Sequence, residues 1–342
     1  MTNRQIMANT LSHIQSPVIP YSLHIEQEVA DKMTAYYGGD GWKSRIREFH
    51  ASPMGISTTI EKPINDVFGI DAFGSLWRSD RLPWHLERPA LDKASFDEYE
   101  FPGVDIFLEP LVKVNAVGKA CEKIRNDPDN FHIIGMGWGL FEHTWRMRGF
   151  ENTMTDMVAE EGFYTELVNR LTELFVELVR FCADVKADAI FFGDDWGDQR
   201  GVIMGPGLWR KYFMPAWKKI YDETHKQNKY VISHCCGSFA DIIPDLIEIG
   251  LDMVESVQPE AAGMNPYVLK KNYGDRICFW GGLGNQSTIP YGTPDEIKSE
   301  VKKLKKEMSV NGGYLLAPAK PLQSEIPVEN AVAVFESFIE ES

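Results

Sequence analysis

His234 and Cys236 sit one residue apart in the run His234-Cys235-Cys236-Gly237-Ser238. Side chains two positions apart on an extended chain point the same way, so an imidazole and a thiolate would face one volume there. Zinc accepts nitrogen and sulfur ligands, and a catalytic zinc keeps three protein ligands with one position open. Glu255, in the next apolar run, is the expected third ligand. A buried structural His and Cys pair is the competing reading.

A second cluster is the doublet Asp194-Asp195. Adjacent carboxylates on an extended chain point to opposite sides. One is therefore expected to face a ligand as general acid, base or orienting group, while the other caps a helix or pairs with Arg200. Glu142 is a further catalytic candidate, although Arg146 and Arg148 nearby make an ion-pair network around Glu142 and His143 an equal reading. Lys320 reads as a rim lysine or the partner of an anionic group. Gly281, Gly282 and Gln258 are candidates for contact with a cofactor.

These residues follow short apolar runs, at 132–138, 188–192, 230–233, 252–257, 276–280 and 313–317. Helical patterns separate the runs. Over 163–181, Phe163, Leu167, Leu171, Leu174, Leu178 and Phe181 recur every three or four residues, giving one buried stripe. Another helix opens on Thr293, Pro294 and Glu296, a capping box with proline in the first turn. The alternation predicts an α/β fold, a (β/α)₈ TIM barrel with an N-terminal elaboration, in one domain over 1–342. In such a barrel the strand C-termini converge on one mouth, where all the reactive residues above would meet. The first strand is expected at 18–25 after a short helix, and a second at 104–108. The stretch 54–101 has turn residues and aromatics without a period, and reads as an elaboration covering part of the mouth.

Composition sets outer limits. The 342 residues carry a formal charge of −15, which repels nucleic-acid phosphates and anionic lipid. No stretch approaches the roughly 20 apolar residues that span a bilayer. Residues 1–16 lack the apolar centre of a signal peptide. Five cysteines, two of them adjacent, fit a reducing compartment. A cytoplasmic protein acting on a small molecule is expected.

Taken together, the segment Gly193-Asp194-Asp195-Trp196-Gly197-Asp198-Gln199-Arg200-Gly201, the run 234–238, Val257-Gln258-Pro259-Glu260 and Phe279-Trp280-Gly281-Gly282 resemble the uroporphyrinogen decarboxylase superfamily. The likeness is good over 130–342 and weaker before, and it implies a (β/α)₈ barrel. Its decarboxylase branch carries arginines after the first strand, and here Pro20-Tyr21-Ser22-Leu23-His24-Ile25 has none. The corrinoid-dependent methyltransferase branch implies zinc on a His-x-Cys pair, matched by His234 and Cys236, and cobalamin (a corrinoid) presented by a partner protein. Members serving methanol, methylamine or folate pathways usually add a cysteine after the last strand, where this chain has Pro318-Ala319-Lys320. The expectation is an O-demethylase-type methyltransferase that moves methyl from a methoxylated compound, an aryl methyl ether, to the corrinoid cobalt. A methylcorrinoid:thiol or folate methyltransferase, a uroporphyrinogen decarboxylase and a non-catalytic binding barrel are the alternatives.

Overall fold

The computed structural model describes residues 1–59 and 61–340. In chain order come two short strands, β1 (His50–Ala51) and β2 (Gly55–Ile56), then an antiparallel sheet of β3 (Glu61–Pro63), β4 (Phe68–Asp71), β5 (Leu76–Arg78) and β6 (His85–Arg88). Six parallel strands follow: β7 (Phe131–Met136), β8 (Ala189–Gly193), β9 (Tyr230–His234), β10 (Met253–Val257), β11 (Cys278–Leu283) and β12 (Tyr314–Pro318). Each pairs with the next, and β1 and β2 both pair with β7. At the other edge, residues 18–25 meet β12 and the segment after it through two parallel bridges, Tyr21 with Leu316 and Ile25 with Leu322. Side chains join the two ends of this wall. The Tyr21 hydroxyl accepts the Arg47 N–H at 2.8 Å, and His50 Nε2 lies 3.2 Å from Ser22 Oγ. Eight strand positions thus curl into a (β/α)₈ barrel.

Strands buried on both faces must be apolar throughout, and every residue of β11 and β12 is buried. The helix Glu161–Phe181 buries Leu167, Leu171, Leu174 and Leu178 and packs beside the helix Gly205–Lys226. The capping box at Thr293 is formed in full and opens the helix Pro294–Met308. Among the described residues, no helix is long and apolar enough to cross a membrane.

Two features of the N-terminal third differ from expectation. Residues 104–108 belong to the helix Asp105–Lys113 and its N-cap, not to a strand. The second barrel position is instead β1 and β2, which Pro53 separates into pieces too short to show a period. The elaboration within 54–101 contains the β3–β6 sheet, whose strands of three or four residues leave alternation unreadable. Asp71 ties the β4–β5 turn, accepting the N–H groups of Phe73 and Ser75 and the indole N–H of Trp77 at 2.8–3.0 Å. That sheet braces the helix Leu140–Arg148: Ser75 Oγ donates to the Arg146 carbonyl at 2.9 Å, and the Arg146 guanidinium lies 4.1 Å from the Trp77 ring centre.

Candidate metal and active site

The loops after β8 and β9 cross so closely that only glycine fits at the contact. A Cβ on Gly197 would lie 2.6 Å from the carbonyl oxygens of Cys236 and Ser238. Gly237 has φ +72°, and its Cβ would meet the Asp198 carbonyl at 2.5 Å. The Ser238 N–H donates to that same Asp198 carbonyl at 2.7 Å. Buried Gln258 closes the turn, its Oε1 accepting the Gly237 N–H at 2.8 Å. Cys236 is therefore held by backbone, while Cys235 turns into the core.

Three donor atoms gather beside it. His234 Nε2 stands 3.2 Å from Cys236 Sγ and 3.4 Å from Asp195 Oδ1, and the three groups' ligand atoms all lie within 4.8 Å of one another. Tetrahedral zinc with bonds of about 2.0–2.3 Å sets neighbouring ligand atoms roughly 3.3–3.7 Å apart, so the spacing fits such an ion. Asp195 Oδ1 also accepts the Cys236 N–H at 2.8 Å, which orients the carboxylate. Glu255, expected as the third ligand, bonds the other imidazole nitrogen, Nδ1. From there it fixes the ring's orientation and raises its basicity, as carboxylates behind metal-bound histidines do, and the third donor within reach is Asp195. Burial works against a charged His234, but the Glu255 charge and the hydrogen bonds to Cys236 and Glu255 outweigh it and hold its pKa well above the ordinary value. Metal uptake must displace that proton. Lys320 is not confined to the rim: its Nζ donates to Cys236 Sγ at 2.9 Å.

The aspartate doublet divides, Asp195 to the mouth and Asp194, also a catalytic candidate, to a buried helix cap away from it. Asp194 is fully buried and accepts four N–H groups: Phe141 N (3.1 Å), Glu142 N (3.0 Å), Trp196 Nε1 (2.7 Å) and Trp217 Nε1 (3.2 Å). Gly139 admits this packing, since a Cβ there would lie 2.3 Å from the Gly193 carbonyl oxygen. Arg200 pairs with Asp198 rather than with either member of the doublet.

Asp194 thereby presents Glu142, in the first turn of the helix Leu140–Arg148, to the mouth. Burial, then the charges of Asp194 and Asp195, push the Glu142 carboxyl up to about 8. Burial raises the Asp194 carboxyl as well, to about 7, against the pull of its four hydrogen bonds; because those donors leave a carboxylic O–H no acceptor, the proton of the pair is assigned to Glu142 at neutral pH. An acid is active in its protonated form, which exists below its pKa. Turnover is accordingly expected to fall as pH rises through about 8, with Glu142→Gln removing that limb and about 10²-fold of rate; a pH–rate profile of both proteins checks this, and an unchanged limb in the variant counts against it.

The remaining candidates lie in the wall. Gly281 and Gly282 are buried, Gly281 against the Val257 backbone, so they and Gln258 shape the barrel and expose little to a cofactor. His143 is buried between Phe73 and Phe175 and its pKa is pushed down to about 3, leaving it neutral. Arg148 pairs with Asp156 at 2.7 Å. Sequence reasoning gave no role to Phe191, Trp280 and His50, which surround the approach to His234: Trp280 lies 6.1 Å from Phe191 and 5.0 Å from His50, and Phe191 6.5 Å from His234, between ring centres. Trp280 falls in the family-like segment Phe279-Trp280-Gly281-Gly282, whereas no signal marks Phe191 and His50 beyond their places in barrel strands.

Fold and site define a (β/α)₈-barrel protein whose strand ends bring a nitrogen, a sulfur and an oxygen donor to one point. More narrowly, the model of the uroporphyrinogen decarboxylase (URO-D) family matches residues 79–340, and the chain belongs to that family of enzymes. A uroporphyrinogen decarboxylase of Chlorobium phaeobacteroides is 24% identical over 222 residues, 61% of this chain and 58% of its own length. That of Pelodictyon phaeoclathratiforme is 23% identical over 274 residues, 75% of this chain and 72% of its own. The alignments with the Chlorobium phaeobacteroides and Geobacter sulfurreducens proteins each span 58% of the relative's length. Among solved structures, a methyltransferase from Methanosarcina mazei superposes with a TM-score of 0.68 over 99% of this chain and 98% of its own, at 17% identity, a likeness of fold.

Proposed function

We propose that this protein is a methyltransferase that moves a methyl group from an aryl methyl ether to the reduced cobalt of a corrinoid carried by a separate protein. The observation that carries the reading is the donor set itself, with Asp195, His234 and Cys236 converging at the mouth and Glu255 behind the imidazole. Zinc held by those three residues would supply a Lewis acid for the ether oxygen.

The chain's own groups meet the chemical need. A phenol has a pKa near that of tyrosine, about 10, so a departing phenolate is a poor leaving group unless its charge is met. The methyl carbon leaves without the electrons of its C–O bond, which stay on oxygen, and the acceptor supplies the pair for the new bond. Protonated Glu142 then delivers a proton to that oxygen. Phe191 and Trp280 offer ring faces to an aromatic substrate.

Decarboxylation of a tetrapyrrole is disfavoured because residues 18–25 supply no arginine for its carboxylates. Methyl transfer to a thiol or folate calls for a thiolate-rich site, and the stretch at the end of β12, Pro318-Ala319-Lys320, supplies no second cysteine. The test incubates the purified protein with cob(I)alamin and a panel of methoxyarenes, methanol and methylamines, and follows methylcobalamin by absorbance. Product from a methoxyarene supports the proposal. Its absence from every methoxyarene, or carbon dioxide release from uroporphyrinogen, removes it.

A further inference from the structure

A groove with no part in the mouth runs along the outside of the wall. It lies between the helix Pro294–Met308, the helix Val328–Ile339 and residues 15–19, which lead into the first strand position. Its volume is about 850 Å³, within the roughly 300–1,000 Å³ of small-molecule sites. The lining reaches from Asp295 to Ser309, which at 1.5 Å per helical residue is about 21 Å, so the space is long and narrow. Its floor is apolar, because the buried stripe of the first helix reaches the groove at Val301, with half-buried Ile19 opposite. The two buried polar side chains of the floor are already bonded within the chain: Ser337 Oγ donates to the Ala333 carbonyl at 2.6 Å, and Ser16 Oγ accepts Asn9 Nδ2 at 3.3 Å. What the floor offers a ligand is hydrocarbon contact.

The rim is cationic. Lys298, Lys302 and Lys306 recur every four residues along one helix face, and Lys305 stands beside them. Neighbouring acids are spent elsewhere: Glu296 completes the cap at Thr293, Glu300 accepts the Tyr267 hydroxyl at 2.6 Å, and Glu336 accepts the Tyr37 hydroxyl at 3.2 Å. The lining itself holds two acids, Asp295 and Glu340. Lys305 Nζ donates to the carbonyls of Glu340 (2.6 Å) and Phe338 (3.5 Å), whereas Lys302 and Lys306 have no hydrogen-bond or ion-pair partner among the described residues. A lysine row over flat helix surface is simply hydrated. Here, in a chain of formal charge −15, two unpaired ammonium groups border an apolar trough, which suits an anionic head on a hydrocarbon body. The geometry points to a binding site for a long-chain carboxylate, its chain along Val301 and Ile19 and its head between Lys302 and Lys306. Neither the metal site nor the methyl-transfer reading enters this assignment.

The zinc-loaded protein is titrated with dodecanoate, below the concentration at which it forms micelles, and binding is followed by calorimetry. One molecule per chain is expected to bind saturably, and octanoate, shorter by four methylenes, about 10²-fold more weakly. The double variant Lys302→Ala/Lys306→Ala, altered on an exposed helix face, should bind dodecanoate about tenfold more weakly and keep its affinity for neutral dodecanol, its urea midpoint and its zinc content. Ser299→Trp, which places an indole in the groove, should block both ligands. Binding that needs micelles, ignores chain length or is unchanged in the double lysine variant overturns the inference. Capture of anionic phospholipid vesicles, or of a poly-glutamate peptide, in place of dodecanoate also overturns it, since that result would assign the face to a membrane or to a partner protein.

Discussion

Zinc content is expected to fall from about one equivalent per chain to below roughly a tenth in Cys236→Ala and in His234→Ala, with methyl transfer lost in both. A three-ligand site that loses its thiolate or its imidazole keeps too few donors to compete with water. The acidic variants separate the two carboxylates. Asp195 Oδ1 stands 3.4 Å from His234 Nε2, the nitrogen proposed to face the metal, whereas Glu255 bonds the opposite nitrogen. Asp195→Ala should therefore empty the site as the other two do, and Glu255→Gln should weaken it by about 10–100-fold, the usual range for a partner behind a ligand. Metal analysis after dialysis against a graded chelator measures each affinity. X-ray absorption of the unaltered protein should find one sulfur at about 2.3 Å beside nitrogen and oxygen at about 2.0–2.2 Å. The opposite ranking, with Glu255→Gln empty and Asp195→Ala full, would show that the imidazole is turned over and that Glu255 is the ligand. Because the Glu255 charge helps keep a proton on His234 in the metal-free chain, uptake should also weaken as pH falls.

The parts of this site legible in the sequence are those set by strand periodicity. A residue two places after His234 on an extended chain had to face the same way, and of two neighbouring aspartates only one could enter the mouth. Each apolar run from residue 130 onward is a wall strand, because strands buried on both faces carry an unbroken apolar signal. What the sequence hides is contact across the barrel. Neither composition nor period shows that Asp195 lies nearer Nε2 of His234 than Glu255 does, since one follows an apolar run, the other sits within the next, and the choice depends on which way one imidazole turns. Lys320 is 84 residues from Cys236 along the chain and reaches it only because the eighth wall position returns to the mouth. The second strand position escapes notice for a local reason: Pro53 divides it into two pairs of residues. The β3–β6 sheet is hidden because its register rests on turns such as the one Asp71 ties, not on alternation.

Asp194 carries the largest expected effect on stability. It is fully buried, and its two oxygens receive two backbone and two indole N–H groups. A buried donor left without an acceptor costs about 1–3 kcal/mol. In Asp194→Asn the retained oxygen can sit at Oδ2 and keep three of the four bonds, while the amide N–H₂ confronts the Glu142 N–H; the expected loss is about 2–4 kcal/mol. Asp194→Ala removes all four acceptor contacts and opens a void beneath Trp196 and Trp217, and should lose about 4–5 kcal/mol, at the upper end for single substitutions. Both changes also withdraw a negative charge from the N-terminus of the helix Leu140–Arg148, where the helix dipole favours one. That helix presents Glu142, so a folded Asp194→Asn protein should show slower turnover together with a displaced alkaline limb, while its zinc affinity stays near that of the unaltered chain. Urea denaturation, chelator competition and a pH–rate profile of the one variant test the three parts separately. If Asp194→Asn unfolds at the same urea concentration as the unaltered protein, the four donors are not what hold this loop to its helix, and Asp194 must be sought among the groups that touch substrate.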